Sequence, residues 1–198
     1  EGAKSIAAAK DTLVVLKDPA QLRELELERN DRQYLVEQLQ GDTSTATCDI
    51  SGRLVIVHRV REGKRSVQLE KARCAGNEMV AKLISAKREE AQLVSLQHDA
   101  DFTLAVAEGA ALGTYEFRKY KTSGKNASLK KLAIMAAEVS AKALDELVDV
   151  AAAVHTARDL VNEPYSFLTA TQLSSEIKNL SRNAGFKVQV FDKARIEA

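Results

Sequence analysis

The clearest hydrophobic pattern in the chain lies between residues 142 and 191. Leu144, Leu147, Val148, Ala151, Val154 and Val161 recur at helical spacing, with Lys142, Asp145, Glu146, Asp149 and Thr156 largely on the other side. The spacing predicts a helix over 142–162, about 30 Å long at about 1.5 Å per residue. Pro164 ends it, because proline lacks an N–H and biases the preceding residue away from helix. Thr169 is then placed as an N-cap, with Gln172 three residues on to complete a capping box and Leu168 and Leu173 positioned as a staple. Leu173, Ile177, Leu180 and Ala184 form one apolar stripe. Gly185 comes next as the left-handed C′ residue, backed by Phe186. Residues 187–191 alternate and are expected to form a strand.

Upstream the same pattern, taken in order, gives alternating strands and helices. Residues 1–10 are alanine-rich and weakly patterned. Residues 12–16 are a β-branched and leucine run with the look of a buried strand, ended by Asp18-Pro19. Residues 22–27 suit neither period. Residues 30–40 predict a helix carrying Tyr34, Leu35 and Leu39, closed by Gly41. The β-rich runs 43–50 and 53–60, joined by Ser51-Gly52, predict a hairpin. A helix capped by Ser66 runs to about Ala86, with Leu69, Ala72, Ala75 (or Gly76), Met79, Val80 and Leu83 on its inner face. Residues 91–96 form the next strand. Asp99 or Asp101 caps a helix running through Leu104, Ala107, Ala111 and Tyr115. Residues 119–128 are a polar, lysine-rich loop, the expected site of proteolysis. Residues 129–136 are a strand.

Strands alternating with helices imply crossovers, and hence a mixed α/β sheet with helices on both faces, three layers in all. The natural boundary falls after Ala137. Three parts are expected: a first α/β domain over 1–137, a linker helix over 138–164, and the start of a second α/β domain over 165–198. Glu1 at the start and the helix opening at 192–198 lead to the expectation that the chain is a truncated piece of a longer one.

Charge narrows the candidate functions. The 29 basic and 28 acidic side chains leave a net charge of +1, which disfavours nucleic acid and acidic membrane surfaces as partners. No apolar run approaches the roughly 18 residues of a membrane span. Cys48 and Cys74 lie far apart and form no C-x-x-C pair. They read as buried free thiols in a reducing compartment.

The residues offer no self-contained catalytic constellation. His58, His98 and His155 have no second histidine or cysteine at metal-ligand spacing. The Asp99-x-Asp101 pair is more often a helix-capping loop than a magnesium site. Glu108 lies in a small, apolar helix and is expected at the domain surface. Gly109 and Gly113 on that helix are expected to allow close packing on a sheet. Phe117-Arg118-Lys119-Tyr120-Lys121 mixes basic and aromatic residues, but reads as a solvated loop. There is no G-x-G-x-x-G, P-loop or G-x-S-x-G motif. No catalytic, cofactor-binding or metal-binding residue is therefore assigned.

Ala157-Arg158-Asp159-Leu160-Val161-Asn162-Glu163-Pro164, then Leu168-Thr169, the helix ending at Ala184-Gly185 and the run Lys187-Val188-Gln189-Val190-Phe191-Asp192, closely resemble the linker region of the leucine aminopeptidase family. Ala107-Glu108-Gly109 through Leu112, Tyr115, Phe117 and Tyr120-Lys121 resembles a further segment of that family. The resemblance covers 102–198 well and the part before it loosely. It implies an N-terminal α/β domain related to macro domains, and a long helix leading to a catalytic domain with two divalent metals, zinc or manganese. In such enzymes a metal-bound water attacks the N-terminal peptide bond of a peptide. It also implies a cytoplasmic hexamer. The family's metal ligands, a lysine and carboxylates including an N-T-D-A-E-G-R motif, do not occur in these 198 residues. Asp192 belongs to the strand end and is not a ligand. The expected role is non-catalytic: shaping the assembly or covering access to the active site. A module binding nucleotide or ADP-ribose at strand carboxyl ends is the alternative, and DNA binding a third reading that the charge disfavours.

Overall fold

The computed structural model describes residues 10–122 and 129–197. The chain divides into two compact units, Glu1–Ala152 and Ala153–Ala198.

The first unit is built on β1 (Asp11–Leu16), β2 (Thr45–Ile50), β3 (Arg53–Arg59), β4 (Glu90–Ser95) and β5 (Lys131–Met135). They form one sheet in the order β2-β3-β1-β4-β5. β1 runs parallel to β3 and β4, β4 runs parallel to β5, and β2 is antiparallel to β3. A strand paired on both edges and covered on both faces must be apolar throughout, and β1 is Asp-Thr-Leu-Val-Val-Leu. Leu13 lies between Ile56 and Leu93 in register. Its buried polar residue, Thr12, takes a hydrogen bond from Gln92 Nε2 on β4 at 3.0 Å, so neither buried side chain is left unpaired.

Side-chain alternation splits the core into two layers. Val14, Leu16, Val55, Val57 and Val94 face one side. There they meet Leu22 of a 3₁₀ turn (Pro19–Glu24), Leu25 and Leu27 beyond it, and Leu35 of α1 (Arg29–Gln38) with Leu39. Leu13, Val15, Ile56 and Leu93 face the other side, against α2 (Arg65–Ser85) and α3 (Ala100–Gly113). Each large side chain removed from water this way contributes about 1.5–3 kcal/mol. The 22-residue α4 (Ala141–Asn162) lays Leu147 on the second layer. The mixed sheet with helices on both faces is the architecture expected from the pattern.

Tight turns obey their residues. Ser51 and Gly52 both have positive φ, 54° and 84°, the geometry that lets a two-residue connection match strand twist. Asp18 does more than end β1: its side chain accepts from the Ala20 N–H, and Gln21 completes a capping box on the 3₁₀ turn. In the second unit α5 (Ala170–Ala184) is capped as expected, by Thr169 Oγ1 on the Gln172 N–H and by Gly185 at φ 73°. The reciprocal half of that capping box is not made: the Thr169 N–H donates to the Phe167 carbonyl at 3.0 Å, and Gln172 Nε2 donates to Glu176 at 2.7 Å. α6 (Lys193–Glu197) closes the described chain, with Asp192 Oδ1 accepting from the Arg195 N–H.

Several expectations are corrected. Residues 187–191 have no regular secondary structure and pair in no sheet among the described residues; alternation gives the side chains of a strand, but a strand also needs a partner's hydrogen bonds. α2 starts at Arg65 with Lys64 at the cap position and no side-chain cap, so Ser66 lies inside the first turn. Val148 and Val161 of α4 are exposed, and the covered edge runs through Leu144, Leu147, Ala151 and Val154. Cys74 is exposed and Cys48 half-buried; both are free thiols, but neither is a core residue. Residues 1–9, and residues 123–128 of the expected proteolytic loop, lie outside the described residues.

Gly109 packs on a helix, not on the sheet. A methyl group there would stand 2.6 Å from the carbonyl carbon of Arg73 on α2 and overlap its oxygen. Across the same contact, a methyl on Gly76 of α2 would overlap the Val106 carbonyl of α3 and stand 2.8 Å from the Ala110 nitrogen. Gly113 meets Asn77 and Val80 of α2. The two helices thus touch backbone to backbone, and no rotamer change can make room. Gly109→Ala or Gly76→Ala should cost about 2–4 kcal/mol in urea unfolding. Gly52→Ala, where the added methyl meets open space, should cost only the roughly 1–2 kcal/mol of a left-handed backbone. Equal losses at the two kinds of site would contradict this packing.

Candidate functional site

In an open α/β sheet the ends of the parallel strands, where connections depart to opposite faces, form a crevice. Here the chain leaves β1 toward the face of α1 and leaves β4 toward the face of α3. A crevice of about 920 Å³ lies at the carboxyl ends of β1, β3 and β4, its wall including Lys17, Gln21, Arg59, Arg61 and Gln97. Asp18 and Glu62 also line it. Gln21 ties its two walls together. Its Oε1 accepts from the Lys17 and Asp18 N–H groups, both at 3.0 Å, and its Nε2 donates to the Leu96 carbonyl at 2.6 Å. Sequence inspection passed over Gln21, although the Asp-Pro-x-Gln spacing carries the capping signal.

Both arginines are fixed by uncharged oxygens. Arg59 donates to the Lys17 and Leu39 carbonyls at 3.4 and 3.3 Å. Arg61 donates to Ser44 Oγ at 3.3 Å and to the Gly41 and Thr43 carbonyls at 2.5 and 2.8 Å. Gln97 keeps a buried Nε2 that finds no acceptor.

The histidines singled out from the sequence are not brought together. His58 is buried on β3, shares a 3.0 Å hydrogen bond with Thr45 Oγ1 of β2, and lines a small cavity of about 210 Å³ against α2. Burial, and then the nearby Arg61 charge, push its pKa down to about 4. It is a neutral imidazole in the neutral pH range. His98 is exposed with φ 52°, in the turn entering α3. His155 sits half-buried in the second unit.

The acidic pair is a structural device. Asp99 caps α3, its Oδ1 accepting from the Asp101 and Phe102 N–H groups. Arg65, at the start of α2, donates to both Asp99 oxygens and to Asp101 Oδ2 at 2.6–2.8 Å, and stacks 4.5 Å over the Phe102 ring. The Arg65 hydrogen bond holds the Asp99 carboxyl below its usual range. Glu108 is spent on Arg73, at 2.7 Å. Around 117–121, Arg118 and Lys121 both pair with Glu116, which offsets part of the charge of that basic-aromatic stretch. Among the described residues no three His, Cys, Asp or Glu side chains converge as a metal site would require.

No family model matches the chain. Curated relatives do. A probable cytosol aminopeptidase of Mycobacterium bovis is 35% identical over 139 residues, which is 68% of this chain and 27% of the relative. One from Clostridium perfringens is 38% identical over 100 residues, 47% of this chain and 20% of the relative. The chain belongs to the leucyl aminopeptidase family. It spans about a quarter or less of the length of these curated relatives.

Solved structures agree on the fold of this leucyl aminopeptidase relative. A mutant of tomato leucine aminopeptidase superposes with a TM-score of 0.74 at 16% identity, covering 99% of this chain and 45% of that one. The bottromycin maturation enzyme BotP, solved in complex with Mn, gives a TM-score of 0.70 at 21% identity, covering 96% of this chain and 40% of that one. The motif that carried the resemblance is the end of α4 and the chain after it. α4 ends at Asn162, and the Pro164 carbonyl then accepts from the Phe167 and Leu168 N–H groups to turn the chain toward α5.

The buried His58 gives the first unit a defined acid sensitivity. Its folded pKa, about 4, lies below its ordinary 6.5, so the unfolded chain binds the proton more readily. Its contribution is therefore complete above about pH 6.5 and is lost as pH falls toward 4, by at most about 3 kcal/mol. His58→Gln should flatten this part of the stability profile measured by urea unfolding from pH 7.5 to 4. Identical slopes for parent and variant would rule out this assignment.

Proposed function

We propose that the parent protein is a metal-dependent leucyl aminopeptidase that removes N-terminal amino acids from peptides, and that these residues form its non-catalytic amino-terminal portion. The observation that carries the reading is the 35% identity over 139 residues to a cytosol aminopeptidase. The family fold over nearly the whole chain accompanies it. The relatives' names favour this reading over a nucleotide- or ADP-ribose-binding module or a DNA-binding domain.

On this reading residues 1–137 are a macro-like α/β domain, 138–164 a linker helix, and 165–198 the entry to the peptidase domain. Peptide binding, and the two divalent metals, zinc or manganese, belong to the parent's catalytic domain, and the enzyme works as a cytoplasmic hexamer. The Mn in BotP supports the choice of metals by likeness of fold. These residues serve assembly or access to the active site. Two features support a docking role for the second unit: no residue of α5 is buried, and Leu173 and Ile177 on its apolar stripe are 36% and 37% exposed.

The test compares the full-length gene product with the 198-residue chain, each supplied with Zn²⁺ or Mn²⁺ and leucine p-nitroanilide. Metal-dependent turnover by the full-length protein alone is the expected result. Turnover by the 198-residue chain, or none by the full-length protein with either metal, would refute the proposal.

A further inference from the structure

The crevice at the carboxyl ends of β1, β3 and β4 holds two arginines that meet no carboxylate among the described residues. Arg65, Arg73, Arg88 and Arg118 each meet a carboxylate, at 2.6, 2.7, 3.6 and 3.0 Å. Arg59 and Arg61, two residues apart at the end of β3, are held only by neutral oxygens of residues 17, 39, 41, 43 and 44. Carbonyl contacts fix a guanidinium without neutralising it. Two pre-positioned charges therefore stand at the crevice wall, with the ordering cost already met by folding. Lys17 adds a third cation from the end of β1. The buried, acceptor-less Nε2 of Gln97 adds an unspent donor from the end of β4. Three strands thus deliver donors to one place, the position where open α/β sheets take ligands.

We propose that this crevice binds a small phosphate-bearing molecule, with Arg59, Arg61 and Lys17 on the phosphate oxygens and Gln97 donating from the wall. A guanidinium fork matches an oxyanion, and a phosphoryl group offers more terminal oxygens than a carboxylate's two, so donors from three strand ends can converge on it. Asp18 and Glu62 on the rim oppose the cations, so recognition depends on direct contact and not on a general positive field. The inference rests on the crevice and is independent of the peptidase reading.

The experiment is calorimetric titration of the 198-residue chain with pyrophosphate, alongside citrate as a carboxylate polyanion. Saturable one-site binding of pyrophosphate, with citrate at least about tenfold weaker, is expected. Lys17→Glu, at an exposed position, should weaken pyrophosphate about tenfold or more, whereas Glu62→Gln should tighten it. Lys142→Glu on α4, outside the crevice, serves as the control and should leave binding unchanged. Urea unfolding of each variant verifies that its fold is intact. Absence of saturable binding, equal affinity for citrate, or an equal loss in the Lys142→Glu control would overturn the proposal.

Discussion

The backbone contact between α2 and α3 sets the geometry of much of the first unit. Gly76 and Gly109 leave no side chain between the helices, so each rests on the other's carbonyl groups. That closeness lets both helices lie on one face of a five-stranded sheet and bury Met79, Leu83, Val106 and Ala107 in a single layer. It also brings the start of α2 alongside the start of α3, where Arg65 can clamp Asp99 and Asp101. An exposed ion pair of this kind adds little by itself. Here its geometry is a consequence of the glycines.

The carboxyl edge of the sheet illustrates how polar residues divide between holding a fold and remaining available. Gln21 and Asp18 satisfy backbone groups where β1 ends, and Asp99 does the same where α3 begins. Arg59 and Arg61 also hold backbone, but their contacts leave the charge in place. The difference lies in the partner: a carboxylate consumes charge, and a carbonyl only positions it. Residue type alone does not distinguish Arg61 from Arg65, and their neighbours in space do.

Membership of the leucyl aminopeptidase family gives these features a setting. The described residues bring together no metal-ligating set, and the chain spans 27% of its Mycobacterium relative. The second unit is punctuated by its own local signals, Thr169 and Gly185 at the two ends of α5. The residues after it have the alternation of a strand and no sheet partner among the described residues.

The sequence alone was enough for those features whose causes are local. The apolar β1, the Ser-Gly hairpin, the caps at Asp99 and Thr169, the break at Pro164 and the aminopeptidase motif before it all depend on residues a few positions apart. Tertiary structure decided what depends on distant partners. Gly109 became a helix contact because Arg73, far back in the chain, arrives opposite it. Residues 187–191 stayed unpaired because pairing needs a second strand that alternation cannot supply. Cys74, Val148 and Val161 are exposed because a helix has more apolar positions than neighbours to cover them. The basic crevice was invisible for the same reason: Lys17, Arg59, Arg61 and Gln97 are scattered along the chain, and only parallel strands ending at one edge bring them together.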